Sequence, residues 1–141
     1  MADLRMEWEL IRADIIRTYP DFYEIEPSGA IAMDLGESGW MLELQPGERL
    51  LCQVGVDMNE LRTLLSGSTA EDLSSDELHR VAKDHLRPSV RRYKPKLVEA
   101  GFEEGTEVEE EFIAITFERP INFQDPEGIN DTIEWCRKVI V

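Results

Sequence analysis

The chain has 141 residues, 42% of them hydrophobic, and its 30 acidic and 15 basic side chains give a formal net charge of −15 at pH 7. That length fits one domain able to bury an ordinary core, and the apolar content excludes disorder by composition. A charge this negative repels phosphate backbones and anionic bilayers, so nucleic acid and membrane are poor partners, whereas a cationic surface is a good one.

Residues 3–18 are expected to form a helix. Leu4, Trp8, Ile11 and Ile15 recur at steps of four, three and four, which places them on one face. Leu4, Met6, Trp8 and Leu10 also alternate as a strand would, but Arg12, Asp14 and Arg17 do not alternate cleanly, and that half decides for helix. Pro20 ends the helix. Met1-Ala2-Asp3-Leu4 has no basic start, and Glu7, Glu9 and Asp14 break any apolar stretch, so a secretory signal is not expected. No apolar run approaches the roughly twenty residues of a membrane span, and a cytoplasmic protein is expected.

A β-meander should follow. Ile31, Met33 and Leu35 alternate with Ala30, Ala32 and Asp34, and Gly36-Glu37-Ser38-Gly39 turns the chain. Trp40, Leu42 and Leu44 form the next alternating set. Pro46-Gly47 signals a type II turn with the positive φ at Gly47, and Leu50, Cys52, Val54 and Val56 continue beyond it. These are three short antiparallel strands with one buried face. Phe22–Ile25 can add a short strand before them.

Asn59–Leu65 reads as a short helix capped at Gly67, and Ser68–Leu73 as a polar linker. Ser74-Ser75-Asp76-Glu77 is a capping box that opens a longer helix. Leu78, Ala82, Leu86, Val90, Tyr93 and Leu97 mark its inner face. Pro88 and Pro95 interrupt it, so kinks or two to three pieces are expected before Gly101 stops it. Thr106–Glu118 reads as a single strand. Asp125-Pro126-Glu127 opens the last helix, with Ile129, Ile133, Cys136 and Ile140 facing inward. The expected fold is two-layer α+β, in one domain over residues 1–141, with helices on one face of a mostly antiparallel sheet.

This order resembles the type III secretion chaperone-like fold. The residues that carry the likeness are the Pro46-Gly47 hairpin between Trp40–Leu44 and Leu50–Val56, the strand Val108–Phe117, and the helix opened by Asp125-Pro126-Glu127. The likeness implies two strands after the central helix, where the periodicity here shows one. It also implies a central helix that often forms a dimer interface, and here that helix lies near Pro88 and Pro95.

The sequence carries few marks of chemistry. His79 and His85 lie about 120° apart on one helix and share no metal face, although Asp76 and His79 could. No nucleophile elbow, phosphate loop or dinucleotide fingerprint occurs, so neither a cofactor, a metal nor a catalytic residue is expected. Cys52 and Cys136 belong to no Cys-x-x-Cys motif and are expected as buried thiols. Glu103, Glu104, Glu107, Glu109, Glu110 and Glu111 read as a strand end protruding into water, or as a dock for a basic partner.

The feature that departs from the overall charge lies between residues 80 and 96. Arg80, Lys83, Arg87, Arg91, Arg92, Lys94 and Lys96 face one acid, Asp84, giving +6 and leaving −21 for the remainder. Arg80, Lys83, Arg87, Arg91 and Lys94 fall within about 80° on a helix, opposite the apolar positions. This stripe is either a solvated face that offsets the acidic body or a surface for an anionic ligand or acidic segment. Trp40 is most simply core, with an exposed partner-binding anchor as the alternative. Consecutive Trp40, Met41 and Leu42 leave apolar surface on the outer face of their strand, which a second copy in a homodimer would cover. The reading overall is a non-enzymatic interaction protein, chaperone-like or adaptor-like, that docks a polypeptide. The alternative is a small-molecule-binding protein or enzyme with an acidic or Arg-lined site.

Overall fold

Two segments on either side of residue 100 depart furthest from what their period suggests. The computed structural model describes residues 4–57, 74–109 and 112–140. The helix expected at Asn59–Leu65, its Gly67 cap and the linker Ser68–Leu73 lie outside them.

The elements run α1 (Leu4–Thr18), β1 (Tyr23–Ile25), β2 (Ala30–Asp34), β3 (Trp40–Gln45), β4 (Arg49–Asp57), α2 (Ser75–Glu99), β5 (Glu103–Glu109), β6 (Phe112–Pro120) and α3 (Pro126–Val139). The strands form one antiparallel sheet of order β1-β2-β3-β4-β6-β5, so the fold is α+β with the expected meander. By its internal contacts the chain divides into two compact units. One is Met1–Cys52 with Glu118–Val141, and the other is Gln53–Phe117.

In the first unit, register follows the alternation: Ile31 pairs with Leu44 and Met33 with Leu42. All four side chains are buried on one face. The opposite face of β2 is buried too, against the expectation of a single covered face: Ala30 is 2% and Ala32 0% exposed. Tyr23 pairs with Ala32, and its hydroxyl donates across to the Met41 sulfur at 3.1 Å. Two glycines with positive φ, Gly36 and Gly39, flank the β2–β3 turn. Between them Ser38 donates to the Leu35 carbonyl at 2.6 Å.

The β3–β4 turn corrects the type II expectation. The left-handed residue is Glu48, at φ 59°, and Gly47 does not have positive φ. Three residues, Pro46 to Glu48, separate the strands, and such loops place their last residue in the left-handed region to match strand twist. A non-glycine residue there costs about 1–2 kcal/mol. Glu48→Gly should therefore raise stability by about 0.5–1 kcal/mol, after the added freedom of glycine in the unfolded chain is subtracted. Urea titration checks this, and a loss would show that the Glu48 side chain matters more than its backbone.

Helix α3 starts as the sequence suggests: Asp125 accepts from the Gly128 amide at 3.1 Å and Pro126 occupies the first turn. Ile129, Ile133, Cys136 and Ile140 are buried. Just after α1, the buried Tyr19 reaches α3: its hydroxyl lies 3.5 Å from the Asn130 carbonyl, and the Arg137 guanidinium lies over its ring. Burial, and then Glu134, push the Tyr19 phenol above its ordinary value of 10.0. The folded state thus holds this proton more tightly than the unfolded chain does. That contribution is intact below about pH 10 and is lost as pH rises through the folded value. Tyr23, half-exposed, is raised in the same direction by burial, Asp34 and Glu43. Tyr19→Phe should flatten the alkaline fall in melting temperature between about pH 9 and about pH 12. An unchanged alkaline limb would assign the effect elsewhere.

The second unit contains both departures. Helix α2 runs unbroken for 25 residues through Pro88 and Pro95, where pieces were expected. Its six inner positions, Leu78, Ala82, Leu86, Val90, Tyr93 and Leu97, are all buried, and that continuous apolar row holds the helix together across the missing amides. It ends in a Schellman motif: Phe102 N–H donates to Leu97 O and Gly101 N–H to Val98 O, both at 3.0 Å, with Gly101 at φ 95°. The second departure is that two strands, β5 and β6, follow where one was expected. Strand β5 was missed because it lies at the sheet edge and carries acidic rather than alternating apolar residues. Charged residues on an edge strand block pairing with other chains.

Candidate functional site

The basic face is built by the helix that carries it. Ser74 caps α2 by accepting from the Glu77 amide at 3.2 Å, which is one half of the expected capping box. From that start, 100° per residue fixes which side chains face the core and which face water. Arg80, Lys83, Arg87, Arg91, Arg92, Lys94 and Lys96 are all exposed. Arg80, Lys83, Arg87, Arg91 and Lys94 lie broadly opposite the buried row, while Arg92 and Lys96 flank it. From Arg80 to Lys94 the stripe runs about 21 Å along the axis, with a cation every three or four residues.

Three of these cations have neighbours. Arg87 pairs with Asp84 one turn back at 2.5 Å. Lys94 reaches Glu104 on β5 at 2.6 Å. The Arg92 guanidinium lies 5.3 Å from the centre of the Tyr93 ring. Both ion pairs are exposed and contribute only about 0–1 kcal/mol each. Arg80, Lys83, Arg91 and Lys96 make no ion pair among the described residues. The stripe is therefore partly offset by its own unit and partly open. Guanidinium groups in such a row suit carboxylates, which they can bind through two parallel hydrogen bonds.

Trp40 does not join this surface. It is 1% exposed and among the largest fully buried side chains, so the anchor reading gives way to the core reading. Its place at the first inward position of β3 is the cause. Of the acidic run, Glu103 and Glu104 are exposed on β5, and Glu110 and Glu111 lie outside the described residues. His85 is exposed and His79 half-buried on α2. Among the described residues no three metal-binding side chains cluster, and no helix is long and apolar enough to cross a membrane.

The first unit holds a cleft that sequence reasoning did not anticipate. It has a volume of about 380 Å³ and is lined by Trp8, Arg12, Glu26, Ser28, Gly29 and Pro46, among others. The Gly29 carbonyl accepts from the Trp8 indole at 2.8 Å and from Arg12 at 3.4 Å. Glu24 lies 3.8 Å from the same guanidinium. No motif signals this cleft, because it joins a helix face to two turns distant in sequence. Comparison with known protein families, curated proteins and solved structures finds no match for the chain.

Proposed function

We propose that the chain is a non-catalytic binding module, chaperone-like or adaptor-like, that docks an acidic polypeptide segment along the basic face of α2. One observation carries the reading: a row of exposed cations, several without an ion-pair partner among the described residues, on a chain that is otherwise −21. An acidic segment fits better than nucleic acid, whose continuous phosphate charge the remainder of the chain would repel. The order of helix, meander, helix, two strands and helix supports the likeness to type III secretion chaperones, and the second strand after α2 is the element that the sequence reading lacked.

The test is a fluorescence-anisotropy titration of a labelled glutamate-rich peptide against the wild type and Arg87→Glu with Arg91→Glu. Reversing two cations should weaken binding at least about tenfold, with an unchanged circular dichroism spectrum. Arg87→Lys with Arg91→Lys should keep part of the affinity. Equal affinity in the wild type and the reversed variant would remove the proposal. The reading includes a two-fold homodimer, supported by half-exposed Tyr23 and partly exposed Met41 on the outer sheet face. Light scattering that reports only monomer at high micromolar concentration would remove that part.

The cleft at Arg12 supports a second reading, a cytoplasmic small-molecule-binding protein, because its size falls within the range of ligand pockets. A thermal shift with a small metabolite that persists in Arg87→Glu with Arg91→Glu and vanishes in Arg12→Ala would favour it.

A further inference from the structure

Cys52 lies in β4 and Cys136 in the last turns of α3, 84 positions apart in sequence. Folding brings their sulfur atoms to 3.6 Å, close enough for one thiol to donate to the other. Both are free thiols and both are fully buried. Two features distinguish this pair from ordinary core cysteines. The sulfurs touch each other rather than only hydrocarbon, and they connect a strand to a helix from distant parts of the chain. A sulfur–sulfur bond of about 2.05 Å requires the two atoms to close by roughly 1.5 Å.

We propose that Cys52 and Cys136 form a reversible dithiol/disulfide couple that covalently ties β4 to α3. The co-reactant is a low-molecular-weight disulfide. When the C-terminal turns of α3 open, the Cys136 thiolate attacks one sulfur of that disulfide and releases one small thiolate. Cys52, as thiolate, then attacks the Cys136 sulfur of the mixed disulfide and expels the second. Two protein S–H bonds are lost and one S–S bond forms. The two electrons reduce the small disulfide to two thiols, which take up the two protons at neutral pH.

The closed fold controls the rate. Hydrogen bonding to Cys136 and burial hold the Cys52 thiol well above its ordinary value of 9.0, and exchange requires thiolate. Neither sulfur is open to solvent, so exchange proceeds through opening and is slow in both directions. The same burial shields the disulfide from reductants once it has formed. The bond closes a long loop in the unfolded chain and so stabilises the fold by restricting that chain.

The test equilibrates the folded protein in glutathione buffers of graded ratio, quenches with acid, alkylates under denaturing conditions and reads intact mass and melting temperature. Under oxidising conditions the expected product is a single-chain species with no alkylated cysteine, melting about 5–15 °C above the dithiol form. Cys52→Ala and Cys136→Ala should each show no such dependence on the ratio and trap only mixed glutathione adducts. Two alkylated cysteines at every ratio would overturn the proposal. So would a disulfide form that melts at or below the dithiol form. Both readouts use the wild-type chain, so the proposal stays testable if an alanine variant folds poorly.

Discussion

Trp40→Ala is expected to cost about 3–5 kcal/mol of stability, the largest loss from any single substitution considered for this chain. The ring is 1% exposed, at the first residue of β3. The turn beside it is held by backbone: Leu35 N–H donates to the Trp40 carbonyl at 2.9 Å and Trp40 N–H to the Ser38 hydroxyl at 3.1 Å. Alanine keeps both bonds and removes the ring, so the cost is lost apolar transfer plus the cavity left behind. Trp40→Phe should fall between the two, because much of the volume remains. Single domains have total stabilities of about 5–15 kcal/mol, so the alanine variant would have little left. Urea unfolding followed by far-UV circular dichroism measures the effect. A cost below about 1 kcal/mol would return Trp40 to the surface and reopen its role as a partner anchor.

What the sequence made legible followed from period and caps. The steps from Trp8 through Ile11 to Ile15 mark one face of α1, and Asp125-Pro126 marks the start of α3. Strand β5 was hidden because an edge strand pairs on one side only, and its glutamates carry no apolar alternation. Glu48 was hidden because Gly47 is the residue that ordinarily takes positive φ, whereas the loop length decides which residue must. The exposed stripe was readable from the spacing of Arg80, Lys83, Arg87, Arg91 and Lys94, since the apolar row fixes the opposite face. The Lys94–Glu104 pair was foreseen only as a general offset of the acidic body, because the turn at Gly101 sets which glutamate meets which cation. The contact between Cys52 and Cys136 leaves no local mark at all; it exists only once α3 lies against β4.

The second large effect should be a gain. Pro88→Ala and Pro95→Ala are each expected to raise stability by about 1–2 kcal/mol, and the double variant by about 2–4 kcal/mol. Each proline lacks the amide that would donate four residues back, to the carbonyls of Asp84 and Arg91, and its ring crowds that carbonyl. The cost in a helix interior is about 3 kcal/mol relative to alanine, and α2 bears it twice without breaking. Two terms reduce the gain. Proline also restricts the unfolded chain, which is worth about 0.4–1 kcal/mol. Both residues are exposed, so water can reach the carbonyls on that side of the helix. The sites lie seven residues apart, roughly 10 Å along the axis, and their effects should add within a few tenths of a kcal/mol. Denaturant midpoints of the two single variants and the double variant measure this. A double variant no more stable than the wild type would mean that the proline rings set the line of α2 against β5, so that straightening the helix strains the Leu97–Phe102 end. With a gain in stability, affinity for the glutamate-rich peptide should stay the same, because neither substitution removes a cation from the stripe.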